Sequence, residues 1–153
     1  MNVITIFDVA DWFLSKGSMT PKKLQKLCYY FKAWGLALYG KDFLPESHFE
    51  AWVHGPVNPE LYQKYKSYYW RNIRRKRKEN TIKFNPEEQE ILSSVWYTYG
   101  EMSANALEAQ THAEAPWRKA RAGIDEFLNS TNPIDNDEMK AFYRALYAAH
   151  QGE

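Results

Sequence analysis

The chain predicts a mainly α-helical fold: one compact domain over residues 1–153, of about six helices with a small two-stranded β-hairpin. Three observations carry that prediction. Apolar residues recur at helical spacing in several stretches. Three times a good helix-capping residue is followed at once by proline, at Thr20-Pro21, Asn58-Pro59 and Asn85-Pro86. One stretch, His48 to His54, alternates apolar and polar residues instead.

Taken in order, Thr5 caps a first helix of about Ile6 to Ser15, with Asp8 at its third position. Ile6, Val9, Ala10, Phe13 and Leu14 form its apolar face. The second helix opens at Thr20-Pro21, carries Leu24, Leu27, Cys28, Phe31 and Leu38 at helical spacing, and stops at Tyr39-Gly40. Gln25, Lys26, Tyr29, Tyr30 and Trp34 fall on its flanks. A connection through Ser47 leads to the alternating strand, with Phe49, Ala51 and Val53 on one face and Glu50, Trp52 and His54 on the other.

Gly55-Pro56 turns the chain, and Asn58-Pro59 opens a third helix bearing Leu61, Tyr62, Tyr65 and Tyr69. Tyr68 to Asn80 reads as a helix end and an exposed basic connector, and Thr81 to Phe84 as the strand that pairs with the first. Asn85-Pro86 then begins a helix whose early Glu87 and Glu88 suit the positive end of the helix dipole; Gly100 ends it. Ser103 caps a short helix to about Gln110, and Ala115-Pro116-Trp117 starts another. Asp135 with Glu138 predicts a capping box for the last helix, whose Met139, Phe142, Leu146 and Ala149 face inward.

The net charge of +1 gives no whole-molecule pull on nucleic acid. The single cysteine, Cys28, can form neither an internal disulfide nor a zinc site alone, and it fits a reducing cytoplasm. No apolar run reaches membrane-spanning length and the start lacks a signal-peptide pattern, so the expectation is a cytoplasmic protein without a membrane partner. His48, His54, His112 and His150 form no zinc motif, and neither a phosphate loop nor a nucleophile elbow is present. The expectation is therefore no metal, no cofactor and no catalytic residue. Glu50 and His54 share one strand face but stand too far apart for ready contact, so each is expected to make structural hydrogen bonds.

Two features point to binding. Tyr29, Tyr30, Trp34, Trp52, Tyr62 and Trp117 exceed what a core of this size obviously needs, and Trp, Tyr and Arg are the favoured interface anchors. Six Arg or Lys residues crowd the eight positions from Arg71 to Lys78. A solvated loop is the commoner reading of such a run, with nucleic-acid binding a minority alternative. The two short helices around Thr111 to Ala115 lack a turn glycine between them, which argues against a helix-turn-helix.

Three stretches together resemble the Panacea domain, the SocA-like antitoxin domain: Leu24-Gln25-Lys26-Leu27-Cys28-Tyr29-Tyr30 with Trp34; Glu50 to Val57 with Leu61-Tyr62; and Thr111-His112 with Ala115-Pro116-Trp117. The resemblance spans residues 19–150. It implies a small, mostly helical cytosolic protein associated with phages or mobile elements, which neutralises a cognate protein toxin by direct binding. Related members act as adaptors delivering a toxin to a cellular protease, which is the leading alternative; a nucleic-acid-binding regulator comes third, and a homo-oligomer stays open. On this reading the partner-binding residues are Gln25, Lys26, Tyr29, Trp34, Trp52, His54, Tyr62, Arg74, Arg75 and Arg77. Glu50, Gly55, Pro56, Thr111, His112, Pro116 and Trp117 are read as shaping the domain.

Overall fold

Helix α2 (Pro21–Tyr39) is the axis of the molecule, a computed structural model that describes residues 3–77 and 83–151. Every residue from Leu24 to Ala33 is buried, so this helix is covered on all sides rather than along one stripe. Around it pack α1 (Ile6–Leu14), α3 (Pro59–Tyr65), α4 (Pro86–Tyr99), α5 (Ala104–His112) and α7 (Asn136–Gln151). The short α6 (Ala115–Ala120) packs against α5, α7 and the first strand.

The predicted caps form as read. Thr5 and Asp8 make a reciprocal capping box on α1, and Asn85 and Glu88 make another on α4. Thr20, Asn58 and Ser103 each accept a backbone N–H three residues on. The last helix departs from expectation. Asp135 accepts from the Asp137 N–H at 2.8 Å, while Glu138 reaches Lys119 at 3.0 Å instead of returning to the cap. On α7 Met139 and Tyr143 are the buried residues, Phe142 and Leu146 are half-buried, and Ala149 is exposed.

The hairpin is shorter and more local than the alternation suggests. β1 (Glu50–Trp52) pairs with β2 (Gly55–Val57) in antiparallel register, Ala51 opposite Pro56, around a turn at Val53-His54. Gly55-Pro56 is thus a strand, not the turn. The expected partner strand does not form: Lys83 and Phe84 are in no strand, and Thr81 and Ile82 lie outside the described residues. The other edge of β1 is already filled by the 132–134 segment. The Ala51 N–H donates to Asn132 O at 2.8 Å and the Ile134 N–H to Phe49 O at 2.8 Å.

The basic connector is also more fixed than expected. Met19 and Ile73 exchange backbone hydrogen bonds at 3.2 and 2.7 Å, and Ile73 is buried. Tyr69 is not helical; it stands at φ +53° after the 3₁₀ turn Lys66–Tyr68. That conformation strains a residue with a Cβ by roughly 1–3 kcal/mol. Tyr69→Gly is expected to raise unfolding free energy by about 1 kcal/mol, read as a higher midpoint in urea.

Buried polar groups knit the layers. Lys32 donates to Asp42 at 2.8 and 3.0 Å and to the Leu44 and Ser47 carbonyls at 3.0 and 2.9 Å, which folds the connection after α2 back onto the helix. Glu114 accepts from Tyr30, Tyr143 and Gln110 at 2.8, 2.8 and 3.1 Å. Tyr143 directs its one proton to Glu114, so Tyr29 is the donor in its 3.1 Å contact with Tyr143. Burial pushes the Glu114 carboxyl above the usual range, against the pull of its three donors. Burial likewise pushes the Cys28 thiol far up, which leaves it unreactive as a nucleophile.

Candidate functional site: the hairpin face

Side chains from two helices hold the hairpin by its backbone. Gln25 on α2 reads both sides of Asn58, donating to its carbonyl at 3.0 Å and accepting from its N–H at 2.9 Å. Asn58 in turn caps α3 and donates to the His48 carbonyl at 2.9 Å. Lys26 donates to Pro56 O at 3.2 Å. Trp117 on α6 donates its indole N–H to Trp52 O at 2.9 Å, and Arg121 donates to Ala51 O at 3.0 Å. Arg121 also binds the Asp125 and Leu128 carbonyls and lies over the Trp117 ring. Buried carbonyls are costly unless paired, so these contacts fix where the hairpin sits.

Gly55 stands against Lys26 and Thr111, at φ +110°. Thr111 is buried and donates to Glu108 O at 2.8 Å; His112 stacks on Trp117 with ring centres 3.9 Å apart. Pro116 is buried at the start of α6. Glu50 accepts from the Trp52 indole at 2.8 Å and meets His48 at 2.9 Å. His54 pairs instead with Glu108, at 3.3 Å, so Glu50 and His54 take separate partners.

Glu108 also pairs with Lys22, and the hydrogen bonds from Lys22 and His54 hold its carboxyl below the usual range although burial works against them. Beneath this surface lies Lys26, whose pKa burial lowers to about 7, with Lys22 adding to the effect and Glu108 opposing it. His112 is lowered as well, by burial first and by the nearby Lys26, His54 and Arg121, against Glu108.

Beside the hairpin opens an apolar groove of about 180 Å³. Pro21, Leu24, Val57, Leu61 and Tyr65 form its walls, Trp52, Tyr62 and Tyr69 its aromatic rim, and Gln25 and Lys26 its floor. Trp52 and Tyr62 pack ring to ring at 4.8 Å, and Tyr62 remains 40% exposed. His54 borders both this groove and a wider cavity of about 560 Å³, of mixed polar and apolar lining, that includes Glu108, His112 and Arg118.

The expected partner-binding residues therefore separate into groups. Trp52, His54 and Tyr62 come together on the groove rim. Gln25, Lys26 and Tyr29 are buried, because the α2 flank that carries them faces Asn58, Pro56 and Tyr143. Gln25 and Lys26 meet a partner only from within the groove, and Tyr29 belongs to the core. Trp34 donates to the Tyr99 hydroxyl at 3.0 Å and lines another cavity with Leu38 and Tyr147. Arg74 is exposed, while Arg75 and Arg77 border a cavity apart from the groove. Sequence reasoning missed Tyr69, Trp70, Glu114 and Arg121. For Glu114 one signal existed: an acid directly before Ala-Pro-Trp takes the capping position of α6, yet its carboxylate makes no cap bond and turns to the tyrosines.

Comparison with protein families finds one whose model, "Antitoxin SocA-like, Panacea domain", matches residues 24–118, more than half of the chain. That span contains α2 from Leu24 onward, the hairpin, most of the groove lining and the Trp117 indole that holds β1. Comparison with curated proteins and with solved structures finds no significant match.

Proposed function

We propose, from the premise that the chain belongs to the antitoxin SocA-like, Panacea domain family, that it neutralises a cognate protein toxin by binding it directly at the groove beside the hairpin. One observation carries this reading. The groove is apolar, its rim presents Trp52, His54 and Tyr62, and the backbone beneath it is already tied by Gln25, Lys26, Trp117 and Arg121. A partner meets a formed surface and pays little ordering cost. Aromatic side chains at the edge of a desolvated groove are the type that dominates binding energy. No helix among the described residues is long and apolar enough to cross a membrane. We read both proteins as cytoplasmic and encoded together on a phage or mobile element.

Co-expression with the protein encoded in the adjacent reading frame tests the proposal. Growth is expected to be restored, with the toxin accumulating in a complex that survives gel filtration. A toxin that disappears in a protease-dependent way assigns the chain to delivery rather than blocking. Failure to restore growth, with no complex, overturns the reading.

A further inference from the structure

We propose that the strip from Tyr69 to Arg77, which adjoins the groove through Tyr69, is a binding site for single-stranded nucleic acid, a function additional to toxin neutralisation. Charge is segregated in this chain. Residues 61–77 hold seven cations, Lys64, Lys66, Arg71, Arg74, Arg75, Lys76 and Arg77, and no acid; with a chain total of +1, the remainder carries −6. A net charge near zero thus conceals a strongly basic strip.

Its cations are largely uncommitted to acids. Among the described residues only Lys76 of these seven has an acidic partner, Asp11 at 2.8 Å. Arg75 donates through Nε to the Ser15 carbonyl at 2.9 Å, and Arg71 to the Ser67 carbonyl at 3.0 Å, contacts that orient both guanidiniums without neutralising them. Arg75, Lys76 and Arg77 join Lys16 around a cavity of about 410 Å³, a basin of four cations. Phosphates are the ligands such a basin fits.

The second element is aromatic. Tyr69 and Trp70 are 71% and 82% exposed, with ring centres 5.9 Å apart. The positive φ at Tyr69 starts the reversal that carries them, and the Met19–Ile73 bridge pins the chain just after it. Strain of this kind persists where the surroundings hold it. Two neighbouring rings with open faces beside a row of cations are the arrangement on which unpaired bases stack while their phosphates are neutralised. An acidic protein competes for the same cations. Trp70 and Tyr69 present their rings side by side over open solvent, the arrangement that stacks bases, and competition by an acidic polypeptide separates the two partners.

The test titrates the full chain into labelled oligothymidylate and oligouridylate of about 20 nucleotides, with duplex DNA and polyglutamate as competitors. Single strands are expected to bind with quenching of tryptophan fluorescence that Trp70→Ala largely removes, and with an affinity that falls steeply with salt. Trp70→Ala is expected to weaken binding about 10-fold. The double variant R74Q/R77Q is expected to lower the salt slope by about two charges. All three side chains are exposed, so circular dichroism should show the fold unchanged. Absence of binding at low salt overturns the proposal. So does equal competition by polyglutamate with no effect of Trp70→Ala, which would make the strip a docking surface for acidic protein, or equal binding of duplex DNA. Neutralisation of a toxin is read separately, so either proposal can fail alone.

Discussion

Gly55→Ala is expected to destabilise the fold by about 3 kcal/mol or more, with the urea midpoint falling accordingly. Two independent penalties combine. The backbone at φ +110° is a region that side chains with a Cβ rarely adopt. An added Cβ would also stand 2.6 Å from Lys26 Cε and 3.1 Å from Thr111 Oγ1. Neither neighbour yields easily: Lys26 is buried and holds Pro56 O, and Thr111 is buried and bonded to Glu108 O. Gly17, around which nothing lies within 4 Å of an added Cβ, is the control, and Gly17→Ala should shift the midpoint little. Equal midpoints for both variants would show that the hairpin is not held against α2 as described.

Lys26→Met is expected to remove most of a rise in stability expected of the wild-type chain between about pH 7 and 9. The folded pKa of about 7 lies below the ordinary lysine value of 10.5, so in that interval the unfolded chain binds more protons than the folded one. Stability therefore rises with pH from about 7 to about 9, by on the order of 2–3 kcal/mol, and levels off above that, because the buried Cys28 thiol keeps a proton that the unfolded chain loses. Above pH 10 the trend reverses, because burial raises the phenols of Tyr29, Tyr30 and Tyr143 and the folded chain then holds the extra protons. Methionine matches the stem without the ammonium, so the rise between about pH 7 and 9 should vanish, and above it the Cys28 thiol should make the variant lose stability. At pH 7 the variant should be the more stable protein, less the roughly 1 kcal/mol contributed by the bond to Pro56. Urea unfolding at several pH values measures this; an unchanged slope in the variant would assign the dependence to other groups.

What could be read from the sequence was what is local. Thr5, Thr20, Asn58, Asn85 and Ser103 each find their backbone partner three residues on, so residue type and spacing alone identify them. The hairpin was half legible. Its first strand alternates, but Gly55-Pro56-Val57 looks like a turn, and the segment on the far edge of β1 arrives from residues 132–134, a tertiary event no periodicity reveals. The site divides the same way. Trp52, His54 and Tyr62 belong to consecutive elements and meet because the hairpin runs directly into α3. Gln25, Lys26 and Tyr29 look like a polar helix flank, and only the fold shows that Asn58, Pro56 and Tyr143 cover them. Seven cations without an acid are plain in the sequence, but the gathering of Arg75, Lys76 and Arg77 with Lys16 around a cavity of their own is not.

The central claim is that a toxin seats on the groove, and the affinity of purified toxin for Tyr62→Glu against wild type tests it most directly. Tyr62 is 40% exposed and packs on Trp52 at the rim, so a carboxylate there leaves the core intact and puts an unpaired charge where the partner must desolvate. The account predicts at least about a 30-fold loss of affinity, with urea stability lowered by no more than the roughly 1 kcal/mol of the lost pairing with Trp52. Wild-type affinity in the Tyr62→Glu chain would contradict it and place the toxin elsewhere on the surface.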